Sequence, residues 1–320
     1  MLTINKKDKQ ILFALESDAR QSLKSVAKRA RLSTETTFHR IKNLEKRGII
    51  KGYLAEIDTY KAGYFFVPIL LQFQNTTPEI ETELYSQLQK IRHLAWLTTC
   101  EGRWHANLTL FARNNTDIER CSEQLLDICG SCLAEKQLFT TTYISYFKRN
   151  FGLDETRIRT ISTGTEDVRA LEMTEQELLH ILGADARRPS LHIAKDIGVS
   201  SKTIAAHIKK LQKEGILQGS HLFFNFAAFD HKYYKTWFRC RRLDARTWRS
   251  MLTFLQTLEG IRWATRLIGI YDFSLEFEIE DIAVLRKHIA SLKGAFPDII
   301  SSHETLLILD ELVLNYFPKH

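Results

Sequence analysis

Residues 32–53 read LSTETTFHRIKNLEKRGIIKGY, and residues 199–220 read VSSKTIAAHIKKLQKEGILQGS. The two stretches lie 167 positions apart and stay in register without a gap. The same offset relates Asp18-Ala19-Arg20 to Asp185-Ala186-Arg187 near the start of each copy. Solenoid repeats have periods of roughly 20–50 residues. The longer offset therefore indicates that this chain of 320 residues is a duplicated unit, in which each copy is a reference for the other.

The first quoted stretch and the residues before it predict three helices and a wing. Apolar spacing predicts helices over residues 8–19, 22–30 and 33–47, and Gly48 is typical of the end of the third. Residues 49–54 then read as a short hairpin. This order is that of a winged helix-turn-helix. The positions expected to face the core on the third helix are Thr37, Phe38, Ile41 and Leu44.

The third helix carries short polar side chains near its start and cations further along. A helix of about 15 residues is roughly 22 Å long, so it can lie in a DNA major groove. Polar side chains then reach base edges while cations hold phosphates, which predicts double-stranded DNA as a partner. The candidate base contacts are Ser33, Thr34, Thr36, His39, Arg40 and Asn43. The candidate phosphate contacts are Lys42, Lys46, Arg47 and Lys51.

The excess positive charge lies in the first copy. Residues 1–63 contain 14 Lys/Arg and 7 Asp/Glu, whereas residues 171–230 contain 7 of each, and the rest of the chain is balanced. Such a basic segment is typical of a phosphate-backbone binder. The second copy therefore predicts a weaker DNA contact, and a purely structural role stays open for it. Its candidate contacts are Ser201, Lys202, Thr203, His207 and Lys210.

Downstream of each wing the pattern changes to the order βαββαβ, which is a ferredoxin-like unit. The last strand is expected over residues 136–146 in the first copy and 303–316 in the second. The helices cover one sheet face, so the other copy's sheet is the expected cover of the second face. The fold class is thus α+β, with two winged helices alternating with two ferredoxin-like units. The expected domains are 1–63, 64–150, a polar linker 151–171, 172–230 and 231–320.

Composition is that of a soluble, cytoplasmic protein, with 44% apolar and 26% charged residues and no membrane partner expected. The five cysteines lack a disulfide spacing, and Cys129-Gly130-Ser131-Cys132 has no second pair at zinc-ligand spacing. We read this pair as packing at a helix end. No catalytic residue, metal site or cofactor is predicted, because no phosphate loop, nucleophile elbow or zinc motif is present.

At these residues the chain resembles the leucine-responsive regulator (Lrp/AsnC) family of transcription factors, twice over. The run from Asp8 to Arg20 is similar to the family's D-x-x-I-L-x-x-L…D-x-R motif. The run from Leu32 to Tyr53 is similar to its L-S-x-x-x-x-x-R-[VI]-x-x-L-E-x-x-G-[VI]-I-x-G-Y motif. The resemblance implies DNA-binding regulation and a downstream amino-acid-sensing (RAM) domain.

In that family the sensing domain carries a turn of the form G-x-Y-D near the effector pocket. The second copy matches it with Gly269, Ile270, Tyr271 and Asp272, which the resemblance implies as effector-binding residues for an amino acid or a similar molecule. The first copy has Gly102-Arg103-Trp104-His105 and lacks the aspartate. A simple hairpin turn without a ligand is the open alternative for both.

Two further alternatives concern assembly and activity. Most members of the family dimerise through their sensing sheets, so the joined copies are expected to form an intramolecular pseudo-dimer, with further homo-oligomers left open. The siroheme decarboxylases share this two-part fold as fused pairs, which keeps an enzyme as the alternative function. Thr98-Thr99-Cys100-Glu101 stands where a histidine-containing run would be expected in such an enzyme.

Overall fold

The computed structural model describes residues 4–153, 159–163 and 167–319. The first copy contains α1 (Lys6–Ser17), α2 (Leu23–Ala30), α3 (Thr34–Lys46), β1 (Ile50–Ile57), β2 (Phe65–Phe73), α4 (Pro78–Leu88), β3 (Leu94–Glu101), β4 (Ala106–Ala112), α5 (Asn115–Cys129), β5 (Leu133–Leu138) and β6 (Thr140–Phe147). Strand β7 (Arg159–Thr163) follows. The second copy contains α6 (Met173–Ala184), α7 (Ser190–Ile197), α8 (Ser201–Lys213), β8 (Leu217–Phe224), β9 (Lys232–Cys240), α9 (Ala245–Leu255), β10 (Ile261–Ile268), β11 (Phe273–Ile279), α10 (Ile282–Ala295) and β12 (Ile300–Leu314).

The predicted α+β fold class is confirmed. Each copy begins with three helices, which we call its head, and continues with a ferredoxin-like unit. The strand order is β5-β2-β4-β3 in the first unit and β12-β9-β11-β10 in the second, so the two units have the same topology. Helices α4 and α5 pack on one sheet face of the first unit, and α9 and α10 do so in the second.

The predicted wing hairpin at residues 49–54 is wrong. Residues Ile50–Ile57 form one strand, β1, which pairs antiparallel with β8 of the other copy. We call two residues that lie 167 positions apart counterparts. Leu54 lies opposite its counterpart, His221. A two-residue hairpin loop needs positive φ angles, and Gly52 does not have one. The segment therefore stays extended, and the equivalent strand supplies its backbone partners.

The expectation of one terminal strand per copy needs a correction. In the first copy the strand divides near Phe139, since β5 pairs with β2 of its own unit and β6 with β10 of the other. Strand β12 stays continuous but pairs first with β9 and then with β3 of the first copy. The result is one ten-stranded sheet in the order β5-β2-β4-β3-β12-β9-β11-β10-β6-β7. This exchange gives backbone partners to sheet edges that would otherwise be unpaired.

An apolar cluster from both copies fills the space between the two units. The Phe139 ring centroid lies 5.0 Å from that of Trp237 and 5.7 Å from that of Tyr271. Trp104 of the first copy and Leu306 of the second are buried in the same cluster. Within one chain, each unit therefore covers the sheet face that the helices of the other leave bare.

The polar linker predicted over residues 151–171 contains a strand. Strand β7 pairs with β6 at the edge of the large sheet. Residues 154–158 and 164–166 of this predicted linker lie outside the described residues. No helix in the described part of the chain is long and apolar enough to cross a bilayer.

The cysteine pair at the end of α5 packs against the core. All five cysteines are free, and Cys129 is buried in the cluster beneath α4 and α5, with Cys132 packed against it. Burial raises the pKa of the Cys129 thiol to about 11. A thiol with a raised pKa is a poor nucleophile and metal ligand at neutral pH, which agrees with a packing role.

Candidate nucleic-acid interface

The outward side of α3 begins at a well-formed N-cap. The Ser33 hydroxyl oxygen accepts a hydrogen bond from the Thr36 backbone N–H at 3.1 Å, and the Ser33 hydroxyl donates to Thr36 Oγ1 at 2.8 Å. This leaves the Thr36 hydroxyl proton for another acceptor. The exposed candidate contacts in this head are Ser33, Thr34, Thr36, His39, Lys42, Asn43, Lys46 and Lys51. Arg40 and Arg47 are half-buried.

Arg40 ties α3 to α1. Its Nη1 lies 2.9 Å from Oδ1 of Asp8. Its counterpart His207 lies in the same way beside Glu175, the counterpart of Asp8, with 3.3 Å between His207 Nδ1 and Glu175 Oε1. The contact recurs in both heads with different residues, as expected for a contact that orients the third helix. That Arg40 contacts a base stays a prediction, and its guanidinium is bound to Asp8 in this structure.

The prediction that Phe38 faces the core is wrong, because 45% of its surface is exposed. The ring lies edge-on to His39 at 5.6 Å between centroids, and Lys42 Nζ lies 5.9 Å from its centroid. Phe38 follows the inward residue Thr37, and each residue of an α-helix is rotated about 100° from the one before it. The ring of Phe38 therefore lies outside the inward row. The buried residues of α3 are Thr37, Ile41 and Leu44. The outward face therefore combines hydrogen-bonding groups with an apolar ring.

The outward face of the second head carries less positive charge than that of the first. Lys210 Nζ lies 3.3 Å from Glu172 Oε1 and 3.2 Å from Glu175 Oε1, so its charge is partly neutralised. At the counterpart of Phe38 stands Ala205, which is exposed but small. Among the candidate contacts here, Ser201, Lys202 and Lys210 are exposed, and Thr203 and His207 are half-buried.

The structure brings the four predicted effector residues together in the turn after β10. Gly269 and Ile270 are exposed, whereas Tyr271 is 2% exposed. Asp272 Oδ2 accepts a hydrogen bond from the Cys240 backbone N–H at 2.6 Å. One carboxylate oxygen of Asp272 is therefore already used to hold β9. Effector binding by this turn stays a prediction.

The equivalent turn of the first copy performs the same structural task with another residue. His105, the counterpart of Asp272, accepts a hydrogen bond at Nδ1 from the Phe73 backbone N–H at 2.9 Å. Phe73 is in turn the counterpart of Cys240. The aspartate missing from the first copy is thus replaced by an acceptor in the same place.

The glycine of each turn is required by a close approach of the other copy. A Cβ on Gly269 would lie 2.7 Å from Cδ1 of Phe139, and one on Gly102 would lie 3.0 Å from Cδ2 of Leu306. Both glycines have positive φ, 153° and 139°, which disfavours any side chain. Phe139 and Leu306 are counterparts, so the turn of each copy contacts the equivalent residue of the other copy.

A buried ion network that sequence reasoning missed joins α1 of the first head to the large sheet. Glu16 Oε1 lies 3.2 Å from Arg149 Nη1 and 3.0 Å from Arg262 Nη2. Glu278 Oε1 lies 2.6 Å from Arg149 Nη2. Burial alone would raise the pKa of Glu16, but the charges of Arg149 and Arg262 lower it to about 2. The signal in the sequence is a charged residue on the apolar side of α1, where the counterpart is Gly183.

The second head is attached by apolar packing instead. Leu178 of α6 shares a buried cluster with Ala95, Phe111 and Phe317. Ala95 and Phe111 are the counterparts of Arg262 and Glu278. The duplication has therefore diverged into one head held by ions and one held by apolar contacts.

These features define a protein with two winged-helix heads on one shared sheet. The winged helix-turn-helix DNA-binding model matches residues 4–51 and 173–218, which are the two heads. The HTH-type transcriptional regulator LrpA of Pyrococcus horikoshii is 32% identical over 115 residues, which are 36% of this chain and 80% of that protein. The regulatory protein AsnC of Haemophilus influenzae is 25% identical over 144 residues, which are 45% of this chain and 95% of that protein. The chain belongs to the Lrp/AsnC family, in a tandem duplicated form.

A solved structure whose fold matches nearly the whole chain is that of the siroheme decarboxylase NirDL in complex with an iron-uroporphyrin III analogue. Its TM-score is 0.63, and the match covers 98% of this chain and 94% of that one. The two sequences are 11% identical. The likeness therefore shows a shared fold.

Proposed function

We propose that this protein is a cytoplasmic, sequence-specific transcriptional regulator that binds double-stranded DNA mainly through α3. The observation that carries the proposal is the exposed polar and cationic face of that helix. The hydroxyl of Thr36, the imidazole of His39 and the amide of Asn43 suit hydrogen bonds to base edges. Lys46 and Lys51 suit the phosphates on either side. The regulators of the same family named above support this assignment.

Phe38 adds an apolar element to this face. An exposed ring next to hydrogen-bonding groups fits the 5-methyl group of thymine, which is the apolar feature of the major groove. We therefore expect the preferred sequence to contain a thymine that Phe38 contacts.

The two heads have unequal roles in this proposal. The excess charge of residues 1–63 favours phosphate binding by the first head, while the balanced residues 171–230 give the second a weaker contact. The ion pairs of Lys210 with Glu172 and Glu175 further reduce the positive charge that this head presents to DNA. Two heads with different outward residues would read two non-identical half-sites.

In vitro selection of DNA bound by the whole protein tests the proposal. On the selected site, Asn43→Ala should cost about 1–3 kcal/mol of binding free energy, with weak binding to unrelated DNA unchanged. Lys46→Ala should weaken binding to all sequences alike, and the matched change at its counterpart, Lys213→Ala, should weaken it less. Failure to retain any duplex in dilute salt, or equal binding by all variants, contradicts the proposal.

For effector control, the turn from Gly269 to Asp272 is our candidate site for an amino acid or a similar small molecule. Gly269 and Ile270 are exposed, and the second oxygen of Asp272 stays available for an ammonium group. A melting-temperature screen of the whole protein against single amino acids should find at least one that stabilises it. An Asp272→Asn variant should then lose that stabilisation, and a screen without any stabilising amino acid contradicts the assignment.

The pairing of the two units within one chain supports an intramolecular pseudo-dimer. Strand β6 on β10 and strand β12 on β3 provide the contacts that two separate chains would otherwise share. Light scattering should give the mass of one chain or of a higher oligomer that leaves this pairing intact.

A siroheme decarboxylase-like enzyme is the second candidate, because the fold of NirDL covers nearly the whole chain. The cavity between β1, β8 and the large sheet contains Lys235, Arg149 and Arg262, but these cations already pair with Glu276 and Glu278 in the described part of the chain. They are therefore not free to bind the carboxylates of a tetrapyrrole. Titration of the protein with iron-uroporphyrin III, followed by absorption, distinguishes the two candidates. A saturable shift of the main absorption band at micromolar concentration would support the enzyme.

A further inference from the structure

A central cavity lies apart from both α3 and the turn at Gly269. It has a volume of about 210 Å³ and is lined by β1 and β8 on one side and by the large sheet on the other. Leu54 and His221, which pair across β1 and β8 and are counterparts, both line it. The cavity therefore has two walls that the duplication relates, and the walls can be compared residue by residue.

One pair of positions keeps the same residue on both walls. Trp96 on β3 and its counterpart Trp263 on β10 both line the cavity. Neighbouring positions on β2 and β9 have diverged, since Phe66 stands against Tyr233 and Pro68 stands against Lys235. The polar member of both diverged pairs belongs to the second copy.

Two pairs on other strands change in the same direction. Thr109 of β4 has Glu276 of β11 as its counterpart, and Ile144 of β6 has Glu311 of β12. At these four positions the first copy therefore carries uncharged side chains, while the second carries two carboxylates and one ammonium group. Elsewhere both copies contribute charges to the lining, namely Glu56 and Arg149 from the first and Arg262 and Glu278 from the second. A symmetric homodimer could not build such a cavity, because its two walls would be identical.

Most of the charged wall is internally paired. Lys235 Nζ lies 2.9 Å from Glu276 Oε1, and the Tyr233 hydroxyl donates a hydrogen bond to the other oxygen of Glu276. Lys235 Nζ also lies 4.7 Å from the ring centroid of Trp96. These contacts satisfy Lys235 and leave it no free charge for an anionic ligand.

Glu311 differs, because its carboxylate forms no salt bridge with the described residues, although the charge of Lys51 acts on it from further away. Trp96 Nε1 donates a hydrogen bond to Glu311 Oε1 at 2.8 Å, and within the described ranges no ion pair to Glu311 forms. Its side chain is exposed and lines the cavity. Desolvation of the carboxylate raises the pKa of Glu311, and the charges of Glu278 and Glu276 add to this effect, while the hydrogen bond from Trp96 and the charge of Lys51 oppose it. A cation beside Glu311 would relieve this unfavourable field.

A buried hydroxyl group in the cavity has no hydrogen-bond partner among the described residues. Thr59 is 1% exposed, and its Oγ1 has no hydrogen-bond partner in the part of the chain that the structure describes. Thr59 lines the same cavity. A buried hydroxyl without a partner costs about 1–3 kcal/mol, so an occupant that satisfies it would bind more tightly.

The first copy shows that the fold does not require charges at these four positions. Burying ionised groups costs several kcal/mol each unless they are well paired, and apolar replacements are often neutral or stabilising. The charges of Lys235, Glu276 and Glu311 are therefore a departure that folding does not explain, since uncharged residues occupy the counterpart positions in the same sheet.

We propose that this cavity binds a small amphiphilic primary amine. Its ammonium group would pair with Glu311, and its aromatic or aliphatic body would lie against Trp263, Phe66 and Ile144. Cavities of about 150 Å³ hold benzene, so the volume here suits a phenylalkylamine. A carboxylate ligand of the same shape is disfavoured because its charge would lie beside the like charge of Glu311. The site does not depend on the proposed DNA binding.

Isothermal titration of the whole protein with 2-phenylethylamine, hexylamine and the isosteric acid 3-phenylpropionate tests the proposal. We expect at least one amine to bind with a Kd below about 1 mM and the acid to bind at least about tenfold more weakly. This comparison uses the unaltered protein and so needs no variant.

Two variants locate the site. Glu311→Gln should weaken amine binding at least about tenfold. Asp310→Asn, which changes the neighbouring exposed carboxylate of β12 that does not line the cavity, should change amine binding less than about threefold. Melting curves of both variants check that they fold. Absence of amine binding at millimolar concentration, equal binding of amine and acid, or a folded Glu311→Gln variant that binds as the parent does would each overturn the proposal.

Discussion

Replacing Glu16 by glutamine tests how the first head is held. The amide keeps the shape of the side chain but removes the charge that Arg149 and Arg262 share. Glu278 then remains as the one carboxylate bound to both arginines in the described network. Because the site is buried, water cannot take the place of the lost charge.

The magnitude follows from the pKa of Glu16. A carboxyl whose pKa falls from 4.5 to about 2 on folding stabilises the folded state by about 3 kcal/mol at neutral pH. Removing one partner of a buried ion pair costs about 3–5 kcal/mol, which agrees. The sign of the pH effect is fixed by the lowered pKa. This stabilisation is complete above pH 4.5 and is lost as the pH falls towards 2.

Urea unfolding of parent and variant, followed by tryptophan fluorescence, measures the effect. At pH 7 we expect Glu16→Gln to lower the free energy of unfolding by about 3 kcal/mol. The difference should shrink as the pH falls below 4.5. The exposed change Glu79→Gln is the control and should change the free energy of unfolding far less than Glu16→Gln does. A Glu16→Gln variant within about 1 kcal/mol of the parent at pH 7 would refute the network as the attachment of the head.

Three further changes test other parts of the account. Phe38→Ala should weaken binding to the selected DNA by about 1 kcal/mol. Deoxyuridine in place of the contacted thymine should abolish this difference in affinity between parent and variant. An unchanged affinity of the variant for the thymine site would contradict the ring contact. Gly269→Ala should lower the free energy of unfolding by more than about 2 kcal/mol, because its Cβ would meet Phe139, whereas Gly48→Ala, with open space around it, should cost about 1 kcal/mol; equal losses would contradict the close approach. Lys46→Ala should reduce the slope of log K against log salt by about one, and an unchanged slope excludes a phosphate contact.

The helices and the fold class could be predicted because their signals are local. An N-cap serine, an apolar row and a terminal glycine lie within one helix, as Ser33, Ile41 and Gly48 show. The pairing of β1 with β8 and the exchange of β6 could not be predicted in this way. Their partners lie more than a hundred residues away, and a strand's own sequence does not state which edge it joins.

For the candidate sites, sequence patterns predicted which residues face outward but not which residues they contact. Ser33, Asn43 and Lys46 were predicted on an outward face, and the structure exposes them. The ion pair of Arg40 and the exposure of Phe38 depend on where α1 lies, which helical spacing alone does not define. The charged cavity wall was visible only as a difference between the copies, and the geometry was needed to bring those differences together.

Lysine footprinting with and without duplex DNA tests the central claim most directly. The whole protein is acetylated in the presence of its selected site, and the reactivity of each lysine is read by mass spectrometry. We predict that Lys42, Lys46 and Lys51 are protected by the duplex, while the exposed Lys90 on the first ferredoxin-like unit stays reactive. Equal reactivity of these lysines with and without bound DNA would contradict the assignment of α3 as the DNA-binding helix.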